Sequence, residues 1–290
     1  MMYPLYSITR FFRVPALGLV LGAGSLFSLS AQDETETDVP ERIDLTNFPG
    51  EIVDQVVVPI PAEIFTVLDK LGEPNWSNGI QIPENAGNAR ERAILALTFG
   101  SLVGEGFIAV QAKSADDIQK IGREVLTISQ ALGLANAVRP HSLAIIEAAG
   151  EKDWERVREE LDSTQQTVRK TMDSLRDTEL SGLVSLGGWL RGTHVVTRFI
   201  GDDYREDKAE LLNQPALVTH FREMLNEMKG PSKASPQIRE ISNGLARLEA
   251  IIVSEGAVSQ EDVLGLRDIS EGMLKQYYFS KEEAGSADEN

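Results

Sequence analysis

GSLVGEGFIAV, residues 100–110, and GWLRGTHVVTR, residues 188–198, both read Gly-x-Leu-x-Gly and then run into apolar residues. The first belongs to a segment from Ala93 to Val110 whose only charge is Glu105. The second belongs to a segment from Leu180 to Ile200 that carries only Arg191, His194 and Arg198. A helix without a polar face is either central in a bundle or spans a membrane. The first segment is 18 residues long, the lower edge for a span, and it also holds three glycines, a serine and a threonine. Both segments are therefore read as central helices of a soluble bundle. Glycines four apart share one helical face, and each costs about 1 kcal/mol relative to alanine inside a helix. Such a cost needs a packing reason, and the reading is that the two Gly-faced helices cross at the core. The alternative is that the missing side chains open a pocket.

Working outward, the pattern from residue 61 on is helical. Apolar positions recur at three and four in Ile64, Val67, Leu71, in Ile118, Ile121, Val125, Ile128, Leu132, and in Trp154, Val157, Leu161, Val168. Ser114 before Ala-Asp-Asp, Ser235 before Pro236, and Ser259 mark helix starts. Breaks fall at Pro140, Gly150 and the Gly-Asp-Asp at 201–203, and the residues after that break read as one helix over 205–228. The best strand candidate is VVVPI at 56–60, and its proline demotes it. The fold class expected is all-α, a multi-helix bundle of about nine helices. An internal similarity suggests two pseudo-symmetric units at 61–150 and 151–256, with a final helix at 259–278. Gly100 aligns with Gly188 and Gly104 with Gly192 at an offset of 88, and AIIEAAG at 144–150 resembles AIIVSEG at 250–256. So long a period is unlike the short solenoid repeats.

The ends place the chain. Arg10 and Arg13 precede an uncharged stretch from Val14 to Leu29, then small residues, then the acidic DETETD at 33–38. That is the order of a secretory signal peptide, read as residues 1–31, and the expected location is periplasmic or secreted. Residues 32–50 read as a disordered acidic linker, 51–279 as a single helical domain, and 280–290 as a disordered tail. The chain has no cysteine, which excludes disulfides, thiolate metal sites and thiol catalysis. A net charge of −17 argues against nucleic acid and anionic membrane surfaces as partners. No stable membrane span is expected once the leader is removed.

Candidates for chemistry are few. Glu105 sits between two glycines in the most apolar helix, and a buried carboxylate needs a partner. Arg191 or Arg198 on the second Gly-rich helix is the expected source. Together with Trp189 and His194, Glu105 and Arg191 are read as lining a groove between the units. Trp76 lies in a loop of roughly 17 residues with no helix of its own, a length at which loops are often functional. Its ring either stacks on a ligand or pins the loop. Tyr277, Tyr278 and Phe279 complete the aromatic set. His220 and Glu223 lie three apart on one helix and form the candidate metal pair, with His194 as a third group for acid–base work. A phosphate loop, Gly-x-Ser-x-Gly, His-Glu-x-x-His, a calcium loop and a haem-attachment motif are all missing. The function expected is a binding or scaffold protein for an unknown protein or small-molecule ligand, without a cofactor. The alternative is a metal-binding protein or enzyme using His194, His220 and Glu223.

Overall fold

The computed structural model describes residues 51–279 apart from 54, 55, 59, 60, 85, 176, 254 and 255. The stretches read above as leader (1–31), acidic linker (32–50) and tail (280–290) lie outside the described residues. Within them the chain is all-α save for a two-stranded hairpin. Ten α-helices follow: α1 (Pro61–Lys70), α2 (Arg92–Gln111), α3 (Ala115–Leu132), α4 (Ala135–Glu151), α5 (Trp154–Leu175), α6 (Thr178–Asp202), α7 (Glu206–Ala209), α8 (Pro215–Glu227), α9 (Pro236–Ile252) and α10 (Gln260–Leu274). Nine have ten residues or more, and α7 is a single turn. The hairpin is β1 (Glu51–Val53) against β2 (Val56–Val58), antiparallel, with Ile52 opposite Val57. Thus VVV does form a strand, and it stops before Pro59, which has no N–H to donate to the ladder.

Local chemistry sets the helix ends. The Ser114 hydroxyl accepts from the Asp117 N–H, with Asp116 and Asp117 in the positively polarised first turn of α3. Gly133 closes that helix in the left-handed region at φ 79°, where a side chain is strained. Ser259 and Asp262 form a reciprocal capping box at the start of α10. Three boundaries differ from the sequence reading. Pro140 lies inside α4 rather than ending a helix, since it falls in the second turn, where only one backbone bond is lost. The segment expected as one helix over 205–228 is interrupted, because Pro215 disfavours helix at Gln214; α7, a 3-10 turn at Glu210–Leu212 and then α8 result. The loop around Trp76 holds 3-10 turns at Trp76–Gly79 and Ala86–Asn88.

α2 and α6 form the centre. From Ala93 to Val110 every residue of α2 except Val103 is buried. It is long and apolar enough to cross a membrane, but here protein surrounds it. α3 lies along α2, α4 on α3 and α5 on α4; on the other side α10 lies along α6, α9 on α10 and α8 on α9. This row curls until α5 and α8, its two ends, each touch α6 over a short stretch. The two Gly-rich helices thus share the centre. Their neighbours do not follow in chain order: α3 comes directly after α2, whereas the helix along α6 is α10, beyond the second sequence unit.

Candidate functional site

α2 and α6 meet at glycines. A methyl group at Gly100 would overlap the Val184 carbonyl, and one at Gly187 would overlap the Leu97 carbonyl. A Cβ at Gly104 would stand 3.1 Å from the Gly188 oxygen and 3.3 Å from the Arg191 Cβ. The backbones therefore touch only because side chains are missing. Ser101 strengthens the crossing by donating to the Gly187 carbonyl at 2.9 Å.

One turn along, this contact encloses a polar cluster. Arg191 donates from Nε to Glu105 Oε2 at 2.5 Å and from Nη2 to Oε1 at 3.0 Å. Its Nη2 also donates to the Gly79 carbonyl. The Gln81 N–H donates to Glu105 Oε1 at 2.6 Å, and the Tyr278 hydroxyl donates to Oε2 at 3.1 Å. Four donors thus meet the carboxylate, and two elements distant in sequence, the loop 76–82 and the residues after α10, are tied to the α2–α6 core. Arg191 Nη1 lies 3.3 Å from His194 Nδ1, which makes Nδ1 the acceptor and puts the ring proton on Nε2. Burial first, and then the Arg191 charge, bring the His194 pKa down to about 4. Burial first, and then the Glu105 carboxylate, push the Tyr278 phenol well up. Phe279 closes the cluster, its ring 5.6 Å from the His194 ring and 5.7 Å from the guanidinium carbon.

This arrangement corrects the expected groove. Of its two expected partners Glu105 takes Arg191, but neither side chain has exposed surface, and His194 is buried with them. None of the three lines either of the two cavities described below. Arg198 instead donates to the Asn78 carbonyl at 2.9 Å. Trp76 is also withdrawn: it is buried, edge-on to Phe199 at 5.1 Å, and pins the loop to α6.

A cavity of about 1010 Å³ does open, on the other face of α6. Its floor is α2 and α6, with Gly188, Trp189, Gly192, Thr193 and Val196 along it; Leu161, Val168 and Met172 of α5 form one wall, and Leu217, Phe221 and Met224 of α8 the other. The α6 residues along it run from Thr178 to Val196, about 27 Å at 1.5 Å per residue. Glycine has a second role here. A Cβ at Gly106 or Gly192 would meet nothing within 4 Å, so these positions leave open space, whereas Gly100 and Gly187 close the core. Trp189 is the one predicted ligand-binding residue that lines this cavity. Its indole N–H donates to Gln214 at 2.8 Å, and its ring lies 5.5 Å from Phe221.

His220 and Glu223 also line the groove, His220 half-buried and Glu223 exposed. Among the described residues no three His, Cys, Asp or Glu side chains gather in a metal-binding group, and His194 lies in the other cluster. The pair supplies two donors at most, short of the three protein ligands of a catalytic zinc site. A smaller cavity of about 470 Å³ lies by the end of α6, where Asp202 and Asp203 meet Arg198 and Lys208. Lys208 there is paired with Asp203 at 3.1 Å.

Sequence reasoning missed Gly79, Gln81 and Tyr278 as partners of the buried pair. Two contribute backbone groups, which carry no side-chain signal. The Tyr-Tyr-Phe run at 277–279 was a visible signal without a visible partner. No known protein family, curated protein or solved structure matches the chain.

Proposed function

We propose that the chain is an exported binding protein that holds the hydrocarbon part of an elongated ligand in the groove between α5 and α8. The observation that carries this reading is the groove itself. It has about 1010 Å³ of space lined mostly by aliphatic and aromatic side chains, at the upper end of the usual size of ligand sites. Leaving that apolar surface in water is unfavourable by about 25 cal/mol per Å², and a ligand chain relieves it. The gaps at Gly106 and Gly192 point the same way, because a helix glycine that packs against nothing is a cost of about 1 kcal/mol without return inside the fold. Export is supported by Arg10, Arg13 and the uncharged stretch that follows. The acidic composition and the missing cysteines agree with a ligand carrier rather than with nucleic-acid binding or thiol chemistry.

The test is a titration of the full chain with dodecyl maltoside below its micelle concentration, read by tryptophan fluorescence. Of the three tryptophans, Trp189 lines the groove and Trp76 and Trp154 do not, so the response belongs to Trp189 and disappears in Trp189→Phe. Saturable binding at one ligand per chain is expected. Gly192→Leu starts its side chain in open space of the groove and improves helix propensity, so it keeps or raises the melting temperature and abolishes binding. Unchanged binding in Gly192→Leu, or no saturable binding in the parent chain, overturns the reading.

A further inference from the structure

We infer that the ligand's polar end is cationic, so that the groove accepts an amine- or ammonium-bearing amphiphile. This rests on the groove being a ligand site and adds the chemistry of the ligand's head. Among the described residues lining the groove, the charged side chains are Glu179, Glu223, Glu227 and Lys229. All four gather at one end, where α8 finishes and α6 begins. The Lys229 N–H donates to Glu179 Oε1 at 3.1 Å and holds these two helix ends together. Glu223 and Glu227 lie four apart on α8 and so share a face. Three carboxylates therefore stand against one ammonium at the mouth of an otherwise uncharged trough.

The surrounding groups do not cancel that excess. The C-terminal pole of α8 adds partial negative charge at the same place, moderated where Lys233 donates to the Asn226 carbonyl. The N-terminal pole of α6 is capped by Asp177, whose carboxylate accepts from the Leu180 N–H and also pairs with Arg92 at 3.1 Å. Arg222 on α8 pairs with Glu249 of α9 instead of turning to the groove. An apolar trough with charge at one end matches an amphiphile in form, and the sign at that end selects the head. A carboxylate or phosphate head meets repulsion there, and a cation meets attraction that salt screens.

The experiment compares three probes of equal chain length on the full protein below their micelle concentrations: dodecyltrimethylammonium, dodecyl maltoside and dodecanoate. Because a chain at −17 attracts cations at many sites, binding is read as competition for the dodecyl maltoside signal at Trp189. The result expected is at least tenfold tighter binding of the cation than of the neutral probe, with dodecanoate weakest. In Glu223→Gln/Glu227→Gln, and separately in 1 M salt, the cation-to-neutral ratio falls towards one. Equal affinities, or dodecanoate as the best probe, overturn the cationic assignment and leave the groove reading standing. A ratio that survives both the double variant and salt also overturns it. No saturable binding of any probe overturns the groove reading itself.

Discussion

Arg191 Nε lies 2.5 Å from Glu105 Oε2, and neither side chain has any surface exposed to solvent. Taking both charges out of water is expensive, and it is offset here by a bidentate pair and by bonds to Gly79, Gln81 and Tyr278. Breaking one side leaves a buried charge without its partner. Arg191→Met should therefore cost about 3–5 kcal/mol in urea unfolding, while Glu105→Leu/Arg191→Met should cost less than the two single changes added together. Additive costs would show that the pair is not coupled as described.

The glycines should divide by role. Gly100→Ala forces a methyl into the Val184 carbonyl, so α2 and α6 must separate, at a cost of about 1–3 kcal/mol or more. Gly192→Ala meets open space and improves helix propensity by roughly 1 kcal/mol. Thermal melts of the two variants should shift in opposite directions. Equal shifts would refute the distinction between a packing glycine and a cavity glycine.

His194 makes stability depend on pH. Its ordinary pKa near 6.5 falls to about 4 in the fold, so between those values the unfolded chain binds a proton that the folded chain refuses. Its contribution is complete above pH 6.5 and is lost as pH falls towards 4. The total is on the order of 3 kcal/mol at 1.36 kcal/mol per pKa unit. Carboxylates titrate in the same range, so the measurement is the difference between the parent chain and His194→Gln from pH 7 to pH 4. That difference should change by this amount, and a constant offset would contradict it.

The two tyrosines after α10 should differ in weight. Tyr277 shares its hydroxyl with Ser101 at 2.9 Å, and Ser101 keeps its bond to Gly187 when Tyr277 becomes Phe. That loss should cost about 1 kcal/mol. Tyr278→Phe removes a donor from the Glu105 carboxylate and should cost about 1.5–3 kcal/mol, as for hydrogen bonds to charged groups. Chemical unfolding of both variants ranks them, and the reverse order would place the weight of this segment outside the Glu105 cluster.

Much of the fold was legible because its causes are local. Apolar spacing gave α3 and α5, Ser114 and Ser259 gave the caps of α3 and α10, and the apolar segments around Glu105 and Arg191 gave the two central helices. The need of Glu105 for a counter-charge was also readable, since an isolated carboxylate in an apolar helix demands one; the choice of Arg191 over Arg198 came from the fold. The site was less legible. Trp76 was readable as a ligand contact or as a pin, and only its seat against Phe199 decides for the pin.

By itself the sequence determined the all-α class, the central helices and the need for a buried partner to Glu105, because periodicity, capping and desolvation act within one helix or on one side chain. Tertiary structure alone decided which glycines touch. Gly100 and Gly192 stand in matching sequence patterns, yet one faces a carbonyl and the other faces empty space. That difference follows from which helix comes to lie opposite each face, and the curl of α5 and α8 around α6 sets it through contacts between residues far apart in the chain.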